Sequence, residues 1–163
     1  MQFRTGIGFD VHQLVKDEKL VIGGVEISAP FGSLGHSDGD GLIHAIVDAL
    51  LGAVALGDIG KFYPSNEKQW ENKTSQYFLS DAIRRVRDTG FEISNIDSTI
   101  IIQKPILKNF IPEMTNNISN TLQVLESQIS IKATTTDFLG YIGNGSGWAC
   151  HSVATLYKVN ESY

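Results

Sequence analysis

Residues 96–103, with the sequence IDSTIIIQ, predict the fold more directly than any other segment. Ile100 to Ile102 favour a strand, because β-branched side chains pack well on a pleated surface. The unbroken apolar run is typical of a strand that is covered on both faces. Pro105 is expected to end this strand. We therefore predict a central strand in a sheet that other layers cover.

The segments on both sides of this strand predict helices. Apolar residues recur at helical spacing over 74–88, and Gly90 suits the C-terminal cap of that helix. A second set at the same spacing runs from Ile111 to Leu125. The other predicted elements are strands over 3–14, 20–27 (with a bend or bulge at Gly23 and Gly24), 128–134 and 148–159, a mostly buried helix over 40–57 and a loop over 58–73.

The order of these elements, β-β-α-α-β-α-β-β, predicts an α/β (α+β) fold. We expect a two-layer sandwich in which helices cover one face of a mixed four- to five-stranded sheet. The 163 residues fit one catalytic domain over 1–163. If the other face of the sheet is also apolar, a partner subunit must cover it, which predicts an oligomer.

Composition and charge exclude several classes of protein. Hydrophobic residues make up 42% of the chain and charged residues 19%, which indicates a packed core rather than global disorder. The net charge of −5 argues against nucleic-acid binding through a broad basic surface. An acidic protein that binds a phosphorylated substrate needs metal ions or backbone amides to offset the like charge.

The single cysteine and the hydropathy pattern limit the kinds of metal site and the cellular location that are expected. Cys150 is the only cysteine, so neither an internal disulfide nor a thiolate metal site is expected, and a metal would be held by histidine and carboxylate. Asp10 and His12 interrupt the place where a signal peptide has its apolar run. The most apolar stretch, 42–56, is too short to span a bilayer. We therefore expect a soluble cytoplasmic protein.

Two histidines and an aspartate near the start of the chain, Asp10, His12 and His44, are the candidate metal ligands. Asp10 and His12 are two apart on a predicted strand, so they point to the same side and can reach one ion. Two unrelated polar residues at a strand end are the alternative. His44 lies in the first turn of the apolar helix, with Asp48 one turn later on the same face. Asp48 either satisfies a core histidine or orients a metal-bound imidazole.

Two further segments carry polar groups suited to phosphate. Residues 36–40, HSDGD, precede the apolar helix; Asp38 or Asp40 can cap it, and the free N–H groups there suit phosphate oxygens. Residues 131–137, IKATTTD, place three hydroxyls and an acid before a glycine-rich loop. This arrangement suits phosphate and a divalent metal, although a threonine run alone indicates only β-propensity. Cys150 and His151 are expected to be structural.

Together these motifs resemble the 2-C-methyl-D-erythritol 2,4-cyclodiphosphate synthase family. The matching segments occur in order from about Gly6 to Leu156: Gly8–His12, Ile22–Val25, His36–Asp40, His44–Ala45, Asp48–Ala53, Leu56–Gly60 and Lys132–Thr136. The resemblance implies an enzyme of the non-mevalonate isoprenoid pathway. It would convert 4-diphosphocytidyl-2-C-methyl-D-erythritol 2-phosphate into the cyclic diphosphate and CMP. It also implies a homotrimer, with active sites between adjacent subunits and the sheets facing the centre.

The resemblance further implies roles for individual residues. Asp10, His12 and His44 would bind Zn²⁺, and a Mg²⁺ or Mn²⁺ ion would bridge the substrate diphosphate, with Asp137 as a candidate ligand. His36 and Thr135 would stabilise the transition state. The substrate-binding positions would be Asp10, His12, His36 and Ser37; Asp58, Ile59, Gly60, Tyr63 and Glu67; a cytosine pocket of Ile102, Gln103, Lys104, Pro105, Ile106, Leu107 and Lys108; and Ala133, Thr134, Thr135, Thr136, Asp137, Tyr141 and Asn144. Of these, Thr134 to Asp137 would reach the diphosphate from the neighbouring subunit.

Two other functions are consistent with the same residues. A zinc-dependent phosphodiester hydrolase on a similar scaffold would use zinc-bound water and yield a linear product. A non-catalytic trimeric binding module would use zinc only structurally. A chain that keeps its fold but loses turnover when the metal is removed would argue against this module.

Overall fold

The computed structural model describes residues 2–35, 37–70 and 73–159. Its elements in chain order are β1 (Phe3–Lys16), β2 (Leu20–Ile22), β3 (Val25–Ile27), β4 (Phe31–Ser33), α1 (Gly41–Ala53), α2 (Ile59–Phe62), a 3₁₀ turn (Lys68–Trp70), α3 (Ser75–Asp88), β5 (Phe91–Ile101), α4 (Ile111–Leu122), a 3₁₀ turn (Glu126–Gln128), β6 (Ile129–Thr134), α5 (Gly140–Gly143) and β7 (Gly147–Lys158).

A mixed five-stranded sheet forms one layer of the described structure, in the order β4-β1-β7-β5-β6. The strand β7 lies between β1 and β5 and runs antiparallel to both, whereas β6 runs parallel to β5. The predicted α+β fold with a mixed sheet is confirmed. The assignment of 1–163 to one domain stays a prediction.

The region predicted as one interrupted strand over 20–27 is a hairpin, so that prediction was wrong. The strands β2 and β3 pair with each other in a separate two-stranded sheet. Gly23 and Gly24 both adopt positive φ, at 61° and 72°. Two consecutive residues of this kind form a tight turn that reverses the chain instead of bending it.

Several boundaries also differ from the predicted ones. The strand β5 begins at Phe91 rather than residue 96, because Phe91 and Ile93 are buried and paired with β7. The helix α1 ends at Ala53, and Ala55 just beyond it has a left-handed φ of 58°. Short elements went unpredicted: β4 has three residues, while α2 and a 3₁₀ turn lie in the predicted loop. Such short segments have too few residues to show a period.

The helices pack on one face of the sheet, and two glycines of β1 set how closely. A β-carbon at Gly8 would lie 1.8 Å from the carbonyl oxygen of Ala45, and one at Gly6 would lie 2.0 Å from that of Ala49. The backbone of α1 therefore lies directly on β1. This contact brings His44 beside the residues of β1 that point to the helix layer.

The opposite face of the sheet carries exposed apolar side chains. Ile7 is 69% exposed, and Phe9, Val11 and Val153 also lie on the surface. Ile101 is half-buried, so the predicted coverage of both faces of the central strand is not met within the described chain. Exposed apolar surface of this extent is typical of a protein-protein interface. The homotrimer stays a prediction. None of the helices in the described ranges is long and apolar enough to cross a bilayer.

Candidate metal centre and active site

Asp10, His12 and His44 meet at one point between β1 and α1. One donor atom of each lies within 4.8 Å of the others. Oδ2 of Asp10 is 2.8 Å from Nε2 of His12 and 3.1 Å from Nδ1 of His44. The period of the strand pairs Asp10 with His12, and the close packing at Gly8 adds His44. The predicted convergence of these three donors is therefore present.

The ring of His12 is held from two sides. Its Nδ1 lies 3.2 Å from the carbonyl oxygen of Leu34. Because a carbonyl can only accept, Nδ1 carries the hydrogen and Nε2 is left for the shared centre. The indole of Trp148 stacks on the ring with centroids 6.0 Å apart, and its Nε1–H donates to Oγ of Ser33 at 3.0 Å.

The ring of His44 is held by a partner that sequence did not predict. Its Nε2 lies 3.0 Å from Oγ of Ser75 at the start of α3, and 3.4 Å from Oγ of Ser37. Ser75 in turn donates its hydroxyl and its backbone N–H to Asp38. Ser75 is 0% exposed. It therefore lies between a histidine of the site and a carboxylate.

Asp48 does not fill the role predicted for it. Its Oδ1 accepts the backbone N–H of Ile59 at 2.7 Å, whereas the hydrogen bonds of His44 go to Asp10, Ser37 and Ser75. The reason is that the chain turns back after α1 and brings the start of α2 to this carboxylate. Asp48 therefore stabilises the wall of the site and neither satisfies nor orients His44.

The two ionisable partners on β1 influence each other's pKa. Burial would raise the pKa of Asp10, but hydrogen bonds from His12 and His44 outweigh it and hold that pKa well below its usual range. Burial would lower the pKa of His12, but its hydrogen bond with the Asp10 carboxylate, the negative charge of that carboxylate and the contact with the Leu34 carbonyl together outweigh this and raise that pKa. The site therefore carries an anionic carboxylate between two nitrogen bases.

Asp40 connects the site to the hairpin. It caps α1, since Oδ1 accepts the N–H of Ile43 at 3.1 Å. The same carboxylate accepts the N–H groups of Gly23 and Gly24 at 2.9 and 2.7 Å. Of the two predicted caps, Asp40 is therefore the one used, while Asp38 binds Ser75.

A cavity of about 530 Å³ opens beside the metal ligands. Several residues predicted to bind substrate line it: His12, Ser37, Ile59, Gly60, Tyr63 and Glu67. Asp58 stands outside this lining and caps α2, where Oδ1 accepts the N–H of Lys61 at 2.8 Å. His36 lies outside the described residues.

A second cavity, of about 320 Å³, is formed by the segment after β5 and the end of β6. Its lining contains most of the predicted cytosine pocket together with the threonines: Ile102, Gln103, Pro105, Ile106, Leu107, Lys108, Ala133, Thr134 and Thr135. The backbone N–H of Ile102 donates to the carbonyl of Thr134 at 3.0 Å and joins the two segments. The two cavities share no lining residue.

The remaining predicted residues lie apart from the metal ligands. Asp137 is on an exposed loop after β6, where its backbone N–H donates to Oγ1 of Thr135 at 3.3 Å. It does not join the cluster of Asp10, His12 and His44. Lys104 and Asn144 line a third, neighbouring cavity with Gln103 and Phe138. Thr136 donates to the carbonyl of Leu139 at 2.8 Å, and Tyr141 is exposed.

Sequence reasoning missed an aromatic wall of the first cavity. The ring of Tyr63 lies 5.2 Å from that of Trp70 and 4.7 Å from that of Phe78, centroid to centroid. The sequence assigned Phe78 to the apolar stripe of a helix and Trp70 to a loop, and neither pattern predicts a cavity. Leu34, Gly35, Ser65, Asn66 and Lys68 complete the lining.

Comparison with known proteins identifies the family. The model of the YgbB family matches residues 3–157. The chain belongs to the YgbB family. The family resemblance predicted from the motifs is confirmed.

Three known proteins are similar to this YgbB-family chain over nearly its whole length. It is 48% identical over 159 residues to 2-C-methyl-D-erythritol 2,4-cyclodiphosphate synthase of Prochlorococcus marinus (strain MIT 9312), which is 96% of this chain and 95% of that protein. The bifunctional IspDF from Campylobacter jejuni has a TM-score of 0.94 and 43% identity over 98% of this chain, which spans only 43% of that longer chain. The IspF of Plasmodium falciparum, solved as a CDP complex, has a TM-score of 0.86 and 35% identity, with 97% of both chains covered.

The donors in this YgbB-family chain fit a metal ion. Two imidazole nitrogens and one carboxylate oxygen converge, and each imidazole has its other nitrogen near an oxygen. This is the usual arrangement of metal-bound histidines, in which the second nitrogen is hydrogen-bonded. Three protein ligands leave a position free for another group.

Proposed function

We propose that this chain acts as a 2-C-methyl-D-erythritol 2,4-cyclodiphosphate synthase. It converts 4-diphosphocytidyl-2-C-methyl-D-erythritol 2-phosphate into the cyclic diphosphate with release of CMP, in non-mevalonate isoprenoid biosynthesis. The observation that carries the proposal is the convergence of Asp10, His12 and His44 beside a large cavity in a YgbB-family chain. The location of the reaction in the cytoplasm stays a prediction.

The metal proposed for this centre is zinc. Zinc accepts imidazole nitrogen and carboxylate oxygen together, whereas magnesium and calcium prefer oxygen ligands. When bound by these three side chains, it would offset the negative charge of the substrate diphosphate. His12 and His44 contribute neutral nitrogens, so only one of the three ligands is anionic. This supports binding of an anionic substrate by a chain with a net charge of −5.

The reaction is an intramolecular phosphoryl transfer. An oxygen of the 2-phosphate forms a bond to the β-phosphorus, the bond from that phosphorus to the bridging oxygen breaks, and CMP leaves with the electron pair. The attacking phosphate is ionised near neutral pH, so a strong general base is not required. The chain must therefore fold the substrate into an in-line pose, and positioning of this kind can remove about 7–11 kcal/mol from a barrier. Ser37, Ile59 and Gly60 line the cavity in which this pose would form.

The second cavity is proposed to bind the cytosine end of the substrate. Its lining combines apolar side chains such as Ile106 and Leu107 with the polar Gln103 and Lys108, which suits a flat heteroaromatic ring with polar edges. Thr135 is proposed to contact the diphosphate there and to stabilise the transition state, and His36, which lies outside the described residues, is proposed to stabilise the transition state as well.

Because the two cavities are separate within one chain, we propose that each active site is shared between two subunits. One subunit supplies the first cavity and its neighbour supplies the second. A homotrimer joined through the helix-free face of the sheet would allow this, and the exposed apolar side chains of Ile7 and Phe9 support it. In such an assembly Asp137 would approach the diphosphate from a neighbouring subunit. It is a candidate ligand for a second divalent ion, Mg²⁺ or Mn²⁺.

Product analysis tests this function. The purified, zinc-loaded chain is incubated with the cytidyl substrate and Mg²⁺, and the phosphorus products are followed by ³¹P NMR. We expect cyclic diphosphate and CMP in equal amounts, and loss of both after treatment with a chelator. A linear hydrolysed product would support the phosphodiester hydrolase instead. Absence of turnover, with zinc bound and the fold intact, would favour the binding module.

A further inference from the structure

We infer that Ser75 and Asp38 are positioning residues for His44, acting behind the metal centre. The inference rests on the proposed metal site and assigns a role to two residues outside its ligands. Ser75 is the first residue of α3 and lies 31 positions after His44 in the chain, but its Oγ is 3.0 Å from Nε2 of that ring. It is fully buried, so water does not compete for this contact.

The direction of the hydrogen bonds follows from the partner of Ser75. Its hydroxyl donates to the Asp38 carboxylate, which can only accept. The Ser75 oxygen is therefore left as an acceptor, and it accepts the hydrogen on Nε2 of His44. With the hydrogen on Nε2, Nδ1 of His44, which lies 3.1 Å from Oδ2 of Asp10, offers its lone pair to a metal ion bound between the two; without the ion, a hydrogen on Nδ1 bridges them instead.

This chain of contacts selects one tautomer of His44 and orients its ring toward the shared centre. An imidazole that donates toward a carboxylate is also a better metal ligand, because negative charge behind it increases its basicity. His12 obtains the same orientation from the carbonyl of Leu34. The two histidines are thus prepared in the same way, one by backbone and one by a serine and a carboxylate.

A role of the Ser75 hydroxyl in positioning His44 can be distinguished from a purely structural role of Ser75. The backbone N–H of Ser75 also donates to Oδ2 of Asp38 at 2.8 Å, which ties α3 to the loop before α1. Ser75→Ala keeps this backbone contact and removes only the hydroxyl. Ser119 is a matched control, because it is a buried serine whose hydroxyl donates to the carbonyl of Asn116 within its own helix.

The test measures Co²⁺ affinity of the metal-free full chain by visible absorption, with far-UV circular dichroism to establish folding. Ser75→Ala and Asp38→Asn are each expected to weaken binding about 10- to 100-fold, whereas Ser119→Ala leaves it unchanged. The double variant is expected to bind about as weakly as the weaker single variant, since both changes break one contact chain.

Unchanged Co²⁺ affinity in Ser75→Ala, with wild type binding normally, would overturn the inference. The inference would also be overturned if the loss of Co²⁺ affinity in the double variant equalled the product of the losses in the two single variants. If Ser75→Ala does not fold, Asp38→Asn decides by the same criterion. Failure of the proposed metal site looks different: wild type would not bind Co²⁺, or His44→Ala would bind it as wild type does.

Discussion

At the scale of single residues, the Asp10 carboxylate is the centre of the site because one of its oxygens contacts both imidazoles. This geometry depends on a residue with no side chain. Gly8 allows the backbone of α1 to lie against β1, and a β-carbon there would be 1.8 Å from the carbonyl oxygen of Ala45. The distance from Asp10 to His44 is therefore set by a glycine two positions before Asp10.

Gly8→Ala is expected to destabilise the fold by about 3 kcal/mol or more, because the added methyl meets backbone atoms that cannot move without displacing the helix. Urea denaturation followed by circular dichroism measures this. Gly52→Ala is the control, since nothing lies within 4 Å of a β-carbon at that position of α1. It is expected to stabilise the chain by about 0.5–1 kcal/mol. Similar stability in the two variants would contradict the close contact at Gly8.

The residues of the site are predictable from the sequence only where strand or helix spacing, or the family resemblance, relates them to one another. Asp10 and His12 could be paired because residues two apart in a strand share a side. Asp48 was assigned to His44 by the same kind of local reasoning, from helix spacing, and the structure gives it to Ile59 instead. Ser75 could not be found in this way, because its contact with His44 depends on how α3 packs against α1.

At the scale of elements, the wall of the first cavity depends on how α3 holds the segment after α2. Asp81 of α3 accepts hydrogen bonds from the Tyr63 hydroxyl and from Arg84, and from Nε of Arg85 at 2.6 Å. Burial would raise the pKa of Asp81, but these hydrogen bonds outweigh it and lower the pKa to about 2. A carboxylate with a lowered pKa stabilises the fold only while it is ionised.

Asp81→Asn is expected to lower the free energy of unfolding at neutral pH by about 1 kcal/mol, a value reduced by solvent screening. Because the pKa of Asp81 falls from 3.8 to about 2 on folding, the difference from wild type should shrink as pH falls through this range. Urea denaturation at several pH values measures it. Asp88→Asn, an exposed change on the same helix, is the control. A difference from wild type that is constant with pH would refute the role of the Asp81 charge.

The elements themselves were predictable in proportion to their length. The helices α1, α3 and α4 and the long strands β1 and β7 have enough residues for a period to show. The hairpin of β2 and β3 was misread because each strand has three residues, and only the φ angles at Gly23 and Gly24 distinguish a reversal from a bulge.

At the scale of the whole molecule, the helix-free face of the sheet is the surface expected to join subunits. Its apolar residues alternate along β1 with the site residues, so Ile7 and Phe9 point away from the helices while Asp10 and His12 point toward them. The candidate metal ligands all come from one chain, whereas the second cavity, the one proposed to bind cytosine, is separate from them. Metal binding and turnover should therefore depend differently on assembly.

Ile7→Lys is expected to convert a trimer into monomers, because it places a charge in the proposed interface. Light scattering after size exclusion measures the mass. Leu125→Lys is a matched control outside this face, since both side chains are 69% exposed. Ile7→Lys should lose CMP release and retain its zinc, whereas Leu125→Lys should keep the trimer, the zinc and the turnover. A monomeric wild type, or a trimeric Ile7→Lys, would contradict the proposed assembly.

The zinc content of wild type and of His44→Ala, determined together with CMP release from the same preparations, tests the metal centre most directly. Wild type is expected to hold about one zinc ion per chain at this site and to release CMP. His44→Ala is expected to lose most of the zinc and the turnover together, because two ligands remain. Full turnover with undiminished zinc in His44→Ala would show that Asp10, His12 and His44 do not form the centre of this enzyme.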